Sequence, residues 1–230
     1  MRQFYYFLIT LLVPGLSIAA GMLPETSIVL LYEEAGDTAI LLENTDKQPL
    51  LLYSKIKNLP EDGSEEPLVM LTPSVVRVEA GVKQQVRFAL RLKEPSQVQR
   101  LKRVIFEGIP LRQQDDRNIV DISVRQNLPL LIHPRGLPKN SEPWKLLKWS
   151  LSKGQLSVEN DSPYVVRMAE VVNLQPQGTA VQLERSYVLP GQTLSFPVTD
   201  AVADAVRLYP ATMYGYSVDS YDAPLTAKAS

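Results

Sequence analysis

Short apolar runs of alternating polarity, separated by turn residues, constrain the fold of this chain more than any other feature of its sequence. Within residues 82–92, Val86, Phe88 and Leu90 alternate with polar or small residues, which is the period-two pattern of a half-buried strand. Eighteen prolines against eleven glycines argue against long helices. Many short strands joined by turns predict an all-β protein built from antiparallel sandwiches.

A proline-bracketed glycine segment, residues 133–138, divides the predicted strands into two groups. Such a stiff segment is typical of a hinge between domains, so we predict a first domain over residues 21–134 and a second over 138–230. Residues 144–151 fit either a short helix or a strand, and the tail 223–230 is expected to fray. The strands predicted before the hinge are 27–32, 38–43, 50–56, 68–71, 75–78, 82–92, 101–109 and 119–132; those predicted after it are 156–160, 164–172, 180–183, 193–198, 202–209 and 214–218.

The first twenty residues have the pattern of a secretory signal peptide. Arg2 provides the positive start, residues 4–13 are apolar apart from Thr10, and small residues at 17–20 offer a cleavage site. The alternative is a membrane anchor, but the apolar run is well short of the roughly 20 residues that a span needs. We therefore expect export, removal of residues 1–20 and no membrane insertion of the mature chain.

The chain lacks the residues on which most catalytic and metal sites depend. It contains no cysteine, and its one histidine, His133, stands beside a proline in the hinge. Its paired carboxylates, at 33–34, 65–66 and 115–116, lie in turn-rich segments, where solvated charge is the simpler interpretation. A formal net charge of -1 provides no field that would draw the chain to nucleic acid. We expect a binding protein without catalytic activity, cofactor, metal or nucleic-acid partner.

Several segments, in the same order along the chain, carry a resemblance to one family. A proline at 73 is followed by Arg77 and Gly81, and a strand ends at Ile109 and Pro110. The other segments are 21–27, 84–88, 118–134, 156–166 and 188–191. The chain resembles the periplasmic pilus-assembly chaperones of the chaperone–usher family, which are PapD-like, and departs from them enough to suggest a divergent subfamily.

The resemblance implies a fold, a location and partners. It implies two immunoglobulin-like β-sandwich domains set at an angle, in the periplasm of a Gram-negative bacterium. The expected partners are pilin subunits and an outer-membrane usher to which the subunits are delivered for pilus assembly. The expected mechanism is donor-strand complementation, in which the chaperone lends a strand to a pilin that lacks its own last strand.

The strand expected to be lent is the last of the first domain. Val120, Ile122 and Val124 lie on one face of it, and Asp121, Ser123 and Arg125 on the other. Alternation alone also describes an ordinary strand that faces its own core, whereas the resemblance favours an edge strand whose apolar face receives a subunit. Because a free edge promotes aggregation, we expect it to be covered by residues 111–118 or by a second copy in a self-capping homodimer.

The chain departs from the family at the residues that hold the subunit's C-terminal carboxylate. The family's arginine in the first strand falls near Thr26 or Ser27, and its lysine in the last strand falls on Pro129. We therefore consider Arg125, on the same strand face as Pro129, and Thr26 as substitute anchors. The alternative for Arg125 is a solvated strand residue.

The family's ion pair between the domains is also altered. His133 stands where an arginine is usual, and we place the other partner at Gly108, where a glutamate is usual. Both partners have changed together, which predicts a hinge held in another way.

A second functional hypothesis is a secreted β-sandwich module that binds carbohydrate or a surface partner. It would use exposed aromatic platforms, for which Trp144 and Trp149 are the candidates. Their apolar neighbours predict instead that both belong to the core.

Overall fold

The chain is almost entirely β-structure in the residues that the computed structural model describes, which are 21–62, 68–91, 95–111, 123–199 and 202–226. Two short 3₁₀ turns, Pro60–Asp62 and Pro143–Leu146, are its other regular elements in these ranges. Before the hinge the strands are β1 (Met22–Pro24), β2 (Val29–Tyr32), β3 (Asp37–Asn44), β4 (Leu50–Lys57), β5 (Val69–Thr72), β6 (Val75–Val78), β7 (Lys83–Leu90), β8 (Arg100–Pro110) and β9 (Val124–His133). After it they are β10 (Lys148–Ser152), β11 (Gln155–Asn160), β12 (Val166–Met168), β13 (Val171–Gln175), β14 (Thr179–Gln182), β15 (Tyr187–Val188), β16 (Gln192–Pro197), β17 (Ala205–Leu208), β18 (Pro210–Ala211) and β19 (Tyr221–Pro224).

Two sheets form the first domain. One has the strand order β1-β3-β7-β5 and the other β2-β9-β8-β4-β6. The chain enters in the first sheet, as β1, and crosses at residues 25–28 into the second, where β2 pairs parallel to β9. The remaining pairings in both sheets are antiparallel. The segment from β1 to β2 therefore connects the two sheets, and β2 lies beside β9, the last strand of the domain.

Alternating side chains from the two sheets fill the first core, as the period-two pattern predicts. Val86 and Phe88 of β7 and Val104 and Phe106 of β8 are fully buried, and the two phenyl rings meet edge to face with centroids 6.5 Å apart. Burial of such side chains contributes roughly 1.5–3 kcal/mol each. Because the chain has no cysteine, this packing stabilises the domain without the disulfide bond that many exported domains contain.

The second domain has its own core between three small sheets. Their strand orders are β10-β11-β16, β15-β12-β18 and β14-β13-β17-β19. Trp149 is fully buried at the centre of this core and Trp144 is 3% exposed, so both tryptophans are core residues as predicted. Residues 144–151, which fitted either a helix or a strand, contain both: a 3₁₀ turn to Leu146 and then β10.

In the described part of each domain, one asparagine is fully buried and closes the end of a strand. Asn44, at the end of β3, donates from Nδ2 to the carbonyls of Gln48 and Val78. Asn160, at the end of β11, donates in the same way to Tyr164 and Val188. In each case the buried amide binds one carbonyl in the loop that follows its own strand and one at the end of another strand, which fixes both segments to the core.

A glycine with positive φ bonds to each of these asparagines. The backbone amides of Gly81 and Gly191 donate to the carbonyls of Asn44 and Asn160, both at distances below 3 Å. Their φ angles of 71° and 75° lie in the left-handed region, which residues other than glycine rarely adopt. The two domains thus share one arrangement of hydrogen bonds, made by a buried asparagine and a glycine, at the ends of β3 and β11.

Three local predictions are wrong in the second domain. The strand predicted over residues 164–172 is two strands, β12 and β13, which belong to different sheets. Residues 214–218 alternate in polarity but form a turn, with one bridge between Ala211 and Ser217. In the described chain no strand lies beside them with which they could pair over a longer stretch. The tail does not begin to fray at Ala223, which is buried in β19, and Leu225 forms a bridge to Trp149. Burial of Ala223 holds the end of the chain through Thr226; residues 227–230 lie outside the described residues.

Candidate functional site

One half of β9 is an open sheet edge. From Leu130 to Ile132 the strand has β8 on one side and β2 on the other, and His133 pairs with β2 alone. From Val124 to Leu128 it pairs with β8 alone, and no strand of the described chain lies on its other side. The free backbone groups of this half are able to pair with one further strand.

The two faces of the open half differ in polarity. Leu128 is buried in the first core, and Val124 and Gln126, on the same face, are half-buried. Arg125 and Asn127, on the opposite face, are exposed. The apolar face of the edge is therefore continuous with the domain's own core.

Of the three residues predicted to enter a subunit, the structure describes one. Val124 begins β9, and a Cβ added at Gly21 would come within 3.4 Å of its Cβ atom. Val120 and Ile122 lie outside the described residues, as does most of the segment 111–118 that was expected to cover the edge. Their roles stay predictions.

A cavity of about 360 Å³ lies beside the open edge. It separates the crossover of the first strand from β9, and its lining residues are Leu23, Pro24, Glu25, Thr26, Ser27, Gln126, Asn127 and Leu128. The hydroxyl of Thr26 donates to the carbonyl of Ile28 at 2.8 Å, which fixes the corner where the chain changes sheets. Thr26, one of the two predicted carboxylate anchors, is thus part of the cavity wall.

Arg125, the other predicted anchor, is bound within its own sheet. Its Nη2 and Nε atoms donate to Oε2 of Glu107, on β8, at 2.9 and 3.1 Å. The hydroxyl of Ser123 donates to the other carboxylate oxygen, and its hydrogen bond, followed by those of Arg125, lowers the pKa of Glu107. Arg125 and Thr26 are not brought together, and their role in holding a carboxylate stays a prediction.

An arginine to which no sequence pattern pointed lies on β8, directly beside Pro129 of β9. Arg103, on β8, is the register partner of Pro129. Its Nε donates to Oδ1 of Asn127 at 2.9 Å and its Nη2 to the backbone carbonyl of the same residue at 2.6 Å. A guanidinium is therefore held at the end of the open edge, one strand away from the position where the resemblance placed a lysine.

A second arginine comes from the other domain. Arg167, on β12, follows Val165 on the strand face that packs against the first domain, and its register partner is Tyr187. Its Nη1 is buried and has no hydrogen-bond acceptor among the described residues. Burial is the main cause that lowers the pKa of Arg167, and the positive charge of Arg103 lowers that pKa further.

The hinge is held by Gln99 and not through Gly108, which corrects the expected position of the interdomain pair. Gln99 donates from Nε2 to Nδ1 of His133 at 2.9 Å, and its Oε1 accepts from the backbone amide of Val165 at 2.9 Å. Gly108 lies at the far end of β8, opposite Val124, because β8 and β9 run antiparallel. A neutral amide therefore joins the domains, in keeping with the prediction of a hinge held in another way than by the family's ion pair.

A second polar contact joins the domains at their rim. Glu61, in the first 3₁₀ turn, forms an ion pair with Arg185 and accepts a hydrogen bond from the hydroxyl of Tyr187 at 3.3 Å. Burial, with the nearby charge of Glu61, raises the pKa of Tyr187. A small apolar cluster underneath, which includes Leu131 and Val165, completes the interface.

Among the described residues, histidines and acidic side chains do not gather in threes as a metal ion would need. No helix in that part of the chain is long and apolar enough to cross a membrane.

Comparison with known proteins gives matches over nearly the whole chain. Residues 21–138 match the family model of the pili and flagellar-assembly chaperone PapD N-terminal domain, and residues 142–221 match that of the pili assembly chaperone PapD C-terminal domain. The uncharacterised fimbrial chaperone YhcA of Escherichia coli K12 is 43% identical over 205 residues, which are 89% of this chain and 91% of that protein.

Solved structures with low sequence identity share the fold. The Salmonella enterica SafA pilin in complex with the SafB chaperone matches with a TM-score of 0.74 and 18% identity, over 89% of this chain and 96% of that chain. The Pseudomonas aeruginosa CupB2 chaperone matches with a TM-score of 0.70 and 22% identity, over 89% of this chain and all of that chain. The architecture of two immunoglobulin-like domains is therefore shared with these chaperones.

Proposed function

This chain belongs to the PapD-like family of pilus-assembly chaperones, and we propose that it binds pilin subunits by pairing them with the open half of β9. The observation that carries the proposal is the free edge from Val124 to Leu128, next to a cavity and continuous with the core. Addition of a partner strand to such an edge gives main-chain hydrogen bonds, and side chains on alternate positions provide contact area.

Val120, Ile122 and Val124 are the side chains that we propose to enter the subunit. They share one strand face in the sequence, and the proposal is supported by Val124, which is half-buried at the start of the open half of β9. Burial of three such side chains would contribute roughly 1.5–3 kcal/mol each before the costs of association.

The rest of the proposed cycle follows from family membership. We propose that residues 1–20 direct export to the periplasm, that the chain delivers its subunit to an outer-membrane usher, and that it catalyses no reaction. Without a subunit, the edge is covered by residues 111–118 or by a second copy. Arg125 and Thr26 remain the anchors proposed from the sequence. The hypothesis of a carbohydrate module loses its platforms, because Trp144 and Trp149 are buried.

Co-expression with pilins tests the proposal. Each pilin encoded in the same genome is produced in the periplasm with the tagged chain, and we expect one of them to co-purify as a one-to-one complex. Ile122→Asp and Val124→Asp should abolish that complex, because a carboxylate would enter an apolar groove. Val75→Asp is the matched control, since Val75 is an exposed valine on β6, the opposite edge of the same sheet.

The free proteins separate binding from folding. Ile122→Asp should unfold at the temperature of the wild-type chain, and Val75→Asp should keep the complex. If Ile122→Asp unfolds the free protein, that face belongs to the chain's own core, and the proposed use of this strand is wrong.

A further inference from the structure

One polar side chain interrupts the apolar face of the open edge. Gln126 lies on the same strand face as Val124 and Leu128, between them. Its register partner on β8 is Phe106, which is fully buried in the first core. Because register partners point to the same side of a sheet, the amide of Gln126 is on the core side of β9. The face proposed to receive a subunit is therefore not wholly apolar.

The amide of Gln126 is without a protein partner in the described part of the chain. Its side chain makes no hydrogen bond to another described residue, whereas its two neighbours on the opposite face are paired, Arg125 with Glu107 and Asn127 with Arg103. Gln126 is half-buried and lines the cavity of about 360 Å³ beside the edge. Solvent in that cavity is the partner that the amide can reach while the edge is open.

A docked strand would remove that solvent. It would give residues 124–128 a neighbour on both sides, as β2 already does for Leu130 and Ile132, whose side chains are fully buried on the same face. Gln126 would then be enclosed in the same way, with an oxygen and a nitrogen that each need a hydrogen-bond partner. An amide left unpaired in a closed interface lowers affinity roughly five- to a hundredfold.

We infer that Gln126 is a specificity-determining residue, which selects subunits that place a hydroxyl or amide side chain against it. This inference rests on the proposed function. A neutral amide donates as well as accepts, so serine, threonine, asparagine and glutamine all suit it, whereas valine or leucine would leave it unpaired. The valines and the isoleucine of the strand fit any apolar groove of the right shape, but Gln126 adds a requirement that only some grooves meet.

Competition for a limiting amount of pilin tests the inference. The wild-type chain and Gln126→Met carry different tags and are produced together in the periplasm with the co-purifying pilin, and mass spectrometry quantifies the pilin bound to each. Methionine has nearly the volume of glutamine but no amide. The wild-type chain should capture roughly five- to a hundredfold more pilin, because the variant leaves the subunit's polar group unpaired.

A matched variant and the free proteins separate this role from a structural one. Gln85→Met makes the same change at an exposed position of β7, in the other sheet, and should capture as much pilin as the wild-type chain. Because the amide of Gln126 has no partner among the described residues, free Gln126→Met should unfold at or above the wild-type temperature. A lower unfolding temperature would show that the amide stabilises the chain itself, which overturns the inference.

A double-mutant cycle identifies the group on the subunit. Each serine, threonine, asparagine and glutamine on the two strands that border the pilin's groove is replaced by alanine, valine, leucine and methionine, respectively. One of these replacements should reduce capture by the wild-type chain about as much as Gln126→Met does, and should cause no further loss in Gln126→Met. Additive losses for every replacement would contradict a hydroxyl or amide partner.

The remaining outcomes distinguish this inference from the proposed function. Equal capture by the wild-type chain and Gln126→Met overturns the inference and leaves the proposed function intact. Stronger capture by Gln126→Met also overturns it, because the subunit would then present an apolar surface to this position. If the wild-type chain captures no pilin, the proposed function fails and the inference fails with it.

Discussion

The side chain of Gln99 donates a hydrogen bond from Nε2 to Nδ1 of His133, at 2.9 Å. The other end of the amide accepts from the backbone of Val165, so its orientation is fixed, and Nδ1 of the imidazole must be the acceptor. The ring therefore carries its proton on Nε2, which donates to the carbonyl of Leu137 at 2.9 Å. One neutral relay thus connects the first domain, the hinge and the second domain.

Replacement of Gln99 by leucine should loosen the arrangement of the domains. The variant leaves the amide of Val165 and Nδ1 of His133 without partners in a buried interface, and we expect a loss of about 2–4 kcal/mol in the free energy of unfolding. Urea unfolding followed by tryptophan fluorescence measures it, with Gln85→Leu, at an exposed position of β7, as the control. Equal stability of the two variants would contradict the role of this relay.

Lys102 should make the stability of the chain depend on alkaline pH. The residue is 1% exposed, and burial lowers its pKa from 10.5 to about 8. Between these values the unfolded chain binds more protons than the folded one, so the free energy of unfolding rises with pH; below about pH 8 both states are protonated and the contribution is flat. The rise should amount to about 2–3 kcal/mol relative to Lys102→Met.

Unfolding by guanidinium chloride at pH 7.5, 9 and 10.5 measures this dependence. The wild-type chain should gain stability over Lys102→Met across that range, whereas Lys55→Met, which changes an exposed lysine on β4, should follow the wild type. A difference between wild type and Lys102→Met that does not change with pH would show that Lys102 titrates at the same pH in both states.

Asn160→Asp should destabilise the second domain strongly. The amide nitrogen of Asn160 donates to two carbonyls, at 2.8 and 3.1 Å, and the residue is fully buried. A carboxylate would face those carbonyls without donors, and we expect a loss of about 3–5 kcal/mol in the free energy of unfolding. Thermal unfolding by circular dichroism tests this, and Asn173→Asp, where the amide bonds to a turn at the surface, should change it by less than about 1 kcal/mol.

The fold could be predicted from the sequence because its signals are local. Alternation in β7 and β8 shows which side chains enter the core, and the buried positions of Val86, Phe88 and Phe106 follow from it. The same rule failed at residues 214–218, since alternation specifies a face but cannot supply a neighbouring strand for it to pair with.

The candidate site could be predicted only in part. The strand was identified because Val124 alternates with its neighbours, but the open half depends on where β2 stops, which no pattern in β9 indicates. Gln99 carries no periodic signal, so the hinge partner was placed at Gly108, at the wrong end of the same strand. The charge of Arg103 reaches Arg167 only through the arrangement of the two domains, and nothing in their local sequence links them.

The parallel pairing of β2 with β9 has a consequence for how the protein is made. Val29 and Leu31 reach the ribosome's exit roughly a hundred residues before the segment that covers them, Leu130 to His133. The nascent chain must therefore carry these apolar residues unpaired until most of the first domain has been synthesised. The chain thus passes through a state in which its own first domain is incomplete, and a chain that stops before residue 130 should be prone to aggregation and degradation.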